Sequence, residues 1–299
     1  MKIDCIGCGM VVLDHLCSVE LYPPPNSKNK LLDWTQQGGG PVPTALAVLA
    51  KMNNSTVFLG KIGKDRSGST LRQELYRYGI NTDWICEQSQ VQTAQAFIVV
   101  DRQHQERTVF LHRPEALALT PEDIDIDHLP DCRILHLDGH DIKVQTRLAR
   151  EMHRRGAMIS MDIGSARTVP DTLMQWIDIL LVSQDFVKFT SGSDFDTIAY
   201  ELLKRWQCRI VGITLGEKGS VFVTREDRFS QPAYEVDAVD STGAGDVFHG
   251  AFLHGLLKGM SYRQAVQFSS AAAALACTQI GGKAGIPFEN DVFQFLQTK

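Results

Sequence analysis

Residues 236–250 read VDAVDSTGAGDVFHG, and this stretch decides the fold because it joins a turn of small residues to the start of a helix. Residues 241–245 are small and stand between two acids, Asp240 and Asp246. The segment that follows is apolar at helical spacing, which places the small residues at a helix N-terminus. Free N–H groups and the helix dipole favour an anion at such a position. The pattern therefore predicts an anion-binding turn.

The carboxylate that follows this turn, Asp246, would repel a phosphate and is not expected to be a phosphate ligand. Its position suits a general base that takes a proton from a hydroxyl group while the hydroxyl oxygen attacks phosphorus. A second interpretation is purely structural, because the helix dipole also favours an acid in the first helical turn. The residues of the turn alone leave both interpretations open.

The composition limits the class of protein. The chain has 299 residues, a net charge of −5, 43 % hydrophobic residues and 22 % charged residues, as in an ordinary globular protein. It contains no basic block, so we do not expect a nucleic-acid partner. No apolar run is long enough to span a bilayer, and the first residues lack the order of regions found in a signal peptide. We therefore expect no membrane partner and a cytoplasmic location.

The cysteine pattern supports the same location. Seven cysteines are scattered without paired spacing, which indicates reduced thiols. The pair Cys5-x-x-Cys8 could be a redox motif, but the alternation along IDCIGCG favours two small hydrophobic residues in a buried strand.

Strand-like and helix-like runs alternate along most of the chain. The predicted strands are residues 3–9, 55–63, 133–139, 158–164, 178–183 and 209–216. The predicted helices are residues 44–52, 67–79, 143–156, 195–206 and the run after Gly245. This alternation predicts an α/β protein with a central, mostly parallel sheet and helices on both faces. We expect residues 1–299 to form a single domain of this kind.

Two segments break the alternation, residues 11–36 and residues 93–113, because they contain strands without a helix between them. The second segment is predicted to be a hairpin that turns around residues 101–105. We interpret the two segments as a small inserted β-lid. Unpaired strand edges are usually covered, so the lid is expected to close over a substrate or to pair with a second chain in a homodimer.

The complete string DSTGAGD resembles the C-terminal signature of the ribokinase-like (PfkB) carbohydrate kinases, and the similarity continues along nearly the whole chain in the family's order. The other matching pieces are residues 9–14, Gly39-Gly40, GKIGKDRSG at 60–68, TLGEKG at 214–219 and ACTQIGGKAGIP at 276–287. The motifs are most similar to those of the sulfofructose kinase and ketohexokinase-like branches. The resemblance implies a ribokinase-like fold and transfer of the γ-phosphoryl group of ATP to a hydroxyl of a sugar or sugar-like small molecule.

The resemblance also implies roles for individual residues. Asp246 is expected to be the catalytic base, and the amides of Gly243, Ala244 and Gly245 are expected to form the anion hole. The implied sugar-binding residues are Asp14, Gly39, Gly40, Thr44 and the lid residue Arg107. The implied nucleotide-binding residues are Thr214, Gly216, Gly219, Gly243, Gly245 and Gly282.

The resemblance also implies binding sites for two kinds of cation. Related enzymes hold a potassium-like ion where this chain has Asp240, Thr242 and the carbonyl groups of Ala276 and Gly281. Many members also have an N-x-x-E motif that organises Mg²⁺, whereas this chain reads SQDF at residues 183–186. Asp185 could take over that role, or the nucleotide phosphates could hold the ion with little help from the protein.

The sequence gives less information about the sugar that accepts the phosphoryl group than about the reaction. The family signature G-G-x-x-x-N reads GGPVPT here, so Thr44 replaces an amide side chain and ribose is expected to be a poor substrate. Several basic residues lie in segments expected to border the pocket, and three or four of them together would attract an acidic sugar. These basic residues are Lys28, Arg107, His112, Arg113 and His140.

Other functions remain as alternatives. The acceptor could be a nucleoside or a sugar phosphate, and the protein could be a nonenzymatic sensor. Retention of Asp246 beside the G-A-G turn argues against a sensor. A dinucleotide oxidoreductase is discounted because Gly7-Cys8-Gly9 lacks the third glycine of that fingerprint.

Overall fold

The strands of the molecule form one large and one small sheet. The structure is a computed structural model that describes residues 2–104, 106–165, 168–188, 194–279 and 281–299. Its strands are β1 (Ile3–Cys8), β2 (Val12–Val19), β3 (Asp33–Gly39), β4 (Thr56–Gly63), β5 (Ile85–Gln88), β6 (Gln95–Asp101), β7 (Glu106–His112), β8 (Cys132–Leu137), β9 (Met158–Ile163), β10 (Ile179–Ser183), β11 (Ile210–Thr214), β12 (Ser220–Thr224) and β13 (Arg228–Gln231).

Helices connect several of these strands, and others follow the last strand. They are α1 (Pro41–Lys51), α2 (Arg66–Arg77), α3 (Ile142–Arg154), α4 (Asp171–Met174), α5 (Gln184–Lys188), α6 (Phe195–Trp206), α7 (Ala244–Leu257), α8 (Tyr262–Ala276) and α9 (Glu289–Gln297). Within the described ranges, no helix combines the length and the apolar character needed to cross a bilayer.

The large sheet has the strand order β13-β12-β11-β10-β9-β8-β1-β4-β5. All neighbours from β11 to β5 are parallel. The strands β12 and β13 add an antiparallel edge. Parallel neighbours require long crossover connections, and the helices supply them. The predicted mostly parallel sheet is confirmed.

Both faces of this sheet are apolar because helices cover both. One face packs against α1, α7 and α8, and its cluster includes Cys5. The opposite face packs against α3 and α6, and its cluster includes Cys8. The two cysteines therefore point to opposite sides of β1, and burial raises the pKa of both thiols. The interpretation as buried core residues is confirmed, and the redox interpretation is wrong.

The small sheet has the strand order β3-β2-β6-β7. Its strand β2 pairs antiparallel with β3 and parallel with β6, and β6 pairs antiparallel with β7. Strands β2, β6 and β7 lie within the two segments that break the helix–strand alternation, and β3 extends beyond the first segment to Gly39. The predicted second sheet is confirmed. Residue 105, in the predicted turn at 101–105, lies outside the described residues.

The carboxyl ends of the parallel strands meet at one edge of the large sheet, where ligands of open α/β sheets usually bind. Helix α7 begins at the same edge, because Asp162 near the end of β9 contacts His249 in the second turn of α7. This edge therefore contains the turn predicted to bind an anion.

Candidate active site

The turn before α7 is lined by backbone. Gly243 is the N-cap of α7 and has φ 75° and ψ 0°, a left-handed conformation that glycine adopts without strain. A Cβ atom on Gly243 would lie 2.7 Å from the Cα atom of Gly282, so the turn and the loop after α8 pack backbone against backbone. The N–H of Ala244 donates to the carbonyl of Ser241 at 3.2 Å. One of the three predicted anion-hole amides thus already has an acceptor in the turn.

The carboxylate of Asp240 connects this turn to the loop after α8. Its Oδ1 atom accepts a hydrogen bond from the N–H of Thr242 at 2.8 Å, and its Oδ2 atom accepts one from the N–H of Gly281 at 2.9 Å. The Oγ1 atom of Thr242 is buried and has no hydrogen-bond partner among the described residues. Asp240, Thr242 and Gly281, predicted to lie at a cation site, are therefore brought together.

Asp246 lies in the first turn of α7 and is partly exposed. Burial raises the pKa of its carboxyl group, and the neighbouring Asp162 raises this pKa further. The positive charges of His249 and Arg107 oppose that shift, whereas Asp14 adds to it. A carboxyl group with a pKa raised toward neutrality is suited to proton transfer at physiological pH.

Asp14 lies in β2 and acts electrostatically on Asp246, and the place where these two carboxyl groups meet is called the cleft here. Burial raises the pKa of its carboxyl group to about 7, and the positive charges of Lys283 and Arg107 limit the shift. A side chain at Gly39 would overlap this carboxyl group, so the glycine gives Asp14 its place. The charges of Asp14 and Asp246 act on each other, which makes the cleft a site with two carboxyl groups.

Arg107 lies on the face of the small sheet that carries Asp14. Asp14 pairs with Ala96, and Ala96 pairs with Leu111. Paired residues share a face and side chains alternate along a strand, so Arg107 lies on the Asp14 face and His112 on the opposite one. The positive charge of Arg107 acts on both Asp14 and Asp246.

The other basic residues are distributed differently. Arg113 pairs with the buried carboxylate of Asp141 at 2.8 Å, which neutralises its charge. Lys28 is exposed between β2 and β3, and His140 follows β8 with its N–H donating to Asp138 at 3.0 Å. Of the predicted basic residues, Arg107 thus acts on the two carboxyl groups of the cleft, whereas Arg113 is neutralised by Asp141.

The start of α1 lies beside Asp14. Gly40 is the N-cap of α1 with φ 107°, and a side chain there would overlap the carbonyl group of Met10. Thr44 lies in the first turn, its N–H donates to the Gly40 carbonyl at 3.2 Å, and its side chain is buried. Asp138 accepts a hydrogen bond from the Met10 N–H at 2.7 Å, which joins the end of β8 to the chain after β1.

Three of the residues predicted to bind the nucleotide lie at the end of β11 and in the turn that follows it, and the residue predicted to hold Mg²⁺ lies just after β10. Thr214 is the last residue of β11, and its hydroxyl donates to the Val182 carbonyl at 3.4 Å. Gly216 and Gly219 have φ 61° and 88° in the tight turn to β12, which explains why these positions are glycine. Asp185 is exposed in the short helix α5, directly after β10.

A buried lysine at the cleft was missed from the sequence. Lys283 is 3 % exposed, and its Nζ atom lies 3.0 Å from Oε1 of Glu74 on α2. The other oxygen of Glu74 accepts a hydrogen bond from the Gly38 N–H at 2.7 Å. Gln37, paired with Asp14 across the small sheet, lies beside Gly281. The signal was present, because Lys283 is the charged residue in the small-residue loop GGKAGIP.

Comparisons with known proteins agree with this geometry. The chain is 28 % identical to the probable fructokinase-5 of Arabidopsis thaliana over 290 residues, which cover 88 % of each chain. It is also 28 % identical to the ribokinase of Staphylococcus aureus over 301 residues, 96 % of this chain and 97 % of that protein. The crystal structure of the ribokinase from Thermotoga maritima superimposes with a TM-score of 0.87 at 25 % identity and covers 99 % of both chains.

The family comparison covers nearly all of the sequence. The family model described as "pfkB family carbohydrate kinase" matches residues 2–289. With the parallel sheet, the second sheet and the glycine turn before α7 all in place, the chain belongs to the pfkB family of carbohydrate kinases.

Proposed function

We propose that the protein transfers the γ-phosphoryl group of ATP to a hydroxyl group of a sugar. The observation that carries the proposal is the position of Asp246, in the first turn of α7 beside the glycine turn and in electrostatic contact with Asp14. Relatives named fructokinase and ribokinase support the same reaction.

The proposed reaction assigns a step to each group. Asp14 accepts hydrogen bonds from sugar hydroxyls and orients the acceptor. Asp246 takes the proton of the reacting hydroxyl, whose oxygen bonds to the γ-phosphorus while the bond to the β,γ-bridging oxygen breaks and ADP leaves. The backbone amides of Gly243 and Gly245 in the turn stabilise the charge on the transferred group, an effect worth about 2.7–4 kcal/mol per donor.

The acceptor we propose is a hexose-like or keto sugar, phosphorylated on a primary hydroxyl. Thr44 is buried and lacks the amide group of the family signature, so ribose would leave polar groups without partners. The test measures ADP release with fructose, ribose, nucleosides and acidic sugars. A higher kcat/KM for fructose than for ribose is expected. A preference for ribose would contradict the inference from Thr44, and a preference for a nucleoside would favour the alternative acceptor class.

Magnesium is proposed to enter with the nucleotide. Among the described residues, no group of three or more His, Cys, Asp or Glu side chains could form a metal centre. Mg²⁺ commonly keeps several waters and binds substrate phosphates with one or two carboxylates. The bound ion would neutralise phosphate charge, and Asp185, just beyond β10, is the protein carboxylate proposed for it.

Potassium is expected to raise turnover more than sodium at fixed ionic strength. The buried Thr242 Oγ1, without a partner among the described residues, and the carboxylate of Asp240 provide oxygen ligands at the junction of the two loops. The carbonyls of Ala276 and Gly281 complete the proposed site. A cation there would fix the turn before α7 and offset negative charge. Equal turnover in K⁺, Na⁺ and Tris buffers would contradict this proposal.

The small sheet is proposed to pair with a second copy of the chain or to close over the sugar. Trp34, Phe97 and Phe110 are 56 %, 50 % and 53 % exposed on the face opposite Asp14, and exposed aromatic residues of this kind are typical of interfaces. Light scattering on the purified protein tests pairing with a second copy, and a monomer would rule it out.

A cytoplasmic location is proposed because the reaction consumes ATP.

A further inference from the structure

Two ionisable side chains lie in the apolar interface between α7 and the large sheet. The Nδ1 atom of His249 is 2.7 Å from Oδ2 of Asp162, and the side chains are only 4 % and 2 % exposed. The contact is within ion-pair distance, and attraction between the opposite charges is its larger effect on His249. Leu181, the partner of Asp162 on β10, belongs to the apolar cluster that α7 covers.

The pair lies directly behind the proposed base. His249 follows Asp246 by three residues on α7, so the two side chains are neighbours on one side of the helix. Asp162 is the second-last residue of β9, at the edge where the cleft opens. Asp162 and His249 therefore both act electrostatically on Asp246, Asp162 with a negative charge and His249 with a positive one.

Other elements contribute few charges at this place. Arg107 from β7 and Asp14 from β2 act on Asp246 from the opposite side of the cleft. On β8, His136 lies 3.2 Å from the Ser160 hydroxyl, and burial lowers its pKa to about 4, so it is neutral. Attraction to Asp162 and Asp246 raises the pKa of His249 despite its burial.

Stability alone does not account for the pair. An ion pair buried in an apolar interface is seldom more stabilising than two apolar side chains of the same volume, because desolvation offsets the attraction. The pair differs from a surface ion pair in a second respect, since its positive member adjoins a third charged group, Asp246.

We propose that His249, held by Asp162, is a positioning residue whose positive charge keeps the carboxylate of Asp246 ionised for proton transfer. Asp162 holds the imidazolium in place and at the same time repels Asp246. The two residues thus act on the base in opposite directions. This inference rests on the proposed role of Asp246.

The test is the pH dependence of kcat at saturating sugar and ATP, a condition that reports ionisations of the bound complex and leaves effects on KM aside. His249→Gln removes the positive charge and leaves Asp162 to repel Asp246. The carboxyl group then holds its proton to higher pH, so the acidic limb of the profile is expected to move up by about one pH unit. Activity lost at neutral pH should return at alkaline pH.

Asp162→Asn is expected to move the acidic limb in the opposite direction. Asp162 acts on Asp246 more strongly than His249 does, so its removal lowers the pKa of the base even if His249 loses its own proton. If a single variant does not fold, the double variant Asp162→Asn with His249→Gln leaves no unpaired buried charge and is also expected to have a lowered limb. Opposite shifts would not arise from a merely structural role.

The matched control is His254→Gln, a second buried histidine on α7. His254 is paired with Glu289 at 3.0 Å and contacts Asn54, far along the helix from the cleft. This variant is expected to lose stability with no shift in the acidic limb. Ring-labelled histidine gives an independent readout by NMR, because His249 in the wild-type protein should be an imidazolium at pH 7.

The outcomes separate this inference from the proposed function. The inference about His249 would be overturned if the acidic limbs of the His249 and Asp162 variants coincided with the wild-type limb. It would also be overturned if the His249 ring of the wild-type protein were neutral at pH 7. If Asp246→Asn is inactive in that case, the base assignment stands and only the role of the pair fails. If Asp246→Asn is fully active, the proposed base itself is wrong.

Discussion

Asp246→Asn is expected to lower kcat by about 10²–10⁴-fold, the usual contribution of a positioned general base. The amide has nearly the same shape as the carboxyl group but cannot take the proton of the sugar hydroxyl. ATP and sugar affinity should change little, because the turn before α7 and Asp14 remain in place. The measurement is kcat by ADP release, together with calorimetric titration of both ligands.

The calorimetric titration is also the control for this variant. Loss of ATP binding would identify Asp246 as a structural residue of the helix start. Turnover equal to that of the wild-type protein would remove it from the mechanism. Burial and the neighbouring charge of Asp162 raise the pKa of Asp246, which predicts in addition that wild-type activity falls as the pH drops below neutral.

Gly243→Ala is expected to lower kcat by about 10²–10³-fold through displacement of the anion hole. The alanine side chain would be strained at φ 75°, and its Cβ atom would lie 2.7 Å from the backbone of Gly282. The nearest atoms all belong to the backbone of Gly282, which cannot move aside as a flexible side chain could. The turn and the loop after α8 must therefore separate, and the amides of the turn move with them.

Gly259→Ala separates strain from displacement. Gly259 has φ 80° just after the end of α7, and a Cβ atom there would meet nothing within 4 Å. This control is expected to lose about 1–2 kcal/mol of unfolding free energy from the left-handed conformation while kcat stays unchanged. Thermal unfolding and ADP release on both variants make the comparison. An equal kcat for Gly243→Ala and the wild-type protein would contradict the proposed anion hole.

The six strands and five helices of the predicted alternation could be recognised because buried parallel strands are continuous apolar runs and most of these helices have an amphipathic period. The short strands β5, β12 and β13 were not predicted. They have four or five residues each, which is too short for a clear periodic signal, and their pairing depends on neighbours distant in sequence. The local sequence pattern therefore does not indicate how these strands pair.

The candidate site divides in the same way. One short motif indicates several site residues at once, because Asp240, Gly243 and Asp246 lie within the stretch DSTGAGD. Asp162 lies within the apolar run MISMDIG, and only the packing of α7 on β9 brings it to His249. Arg113 was predicted to contribute positive charge to the pocket, but it is paired with the buried Asp141. This partner cannot be inferred from the sequence of the hairpin alone.

The loop of residues 281–283 has one further consequence. At one end Gly281 is bonded to Asp240 in the turn before α7, and at the other Lys283 is paired with Glu74, which also binds the small sheet at Gly38. A shift of the small sheet on sugar binding would thus reach the nucleotide side through one short loop. Thermodynamic linkage then requires reciprocity: sugar must tighten ATP by the same factor by which ATP tightens sugar. Titration of each ligand with and without the other on Asp246→Asn measures this factor, and a value of one would show that the loop does not couple the two halves of the cleft.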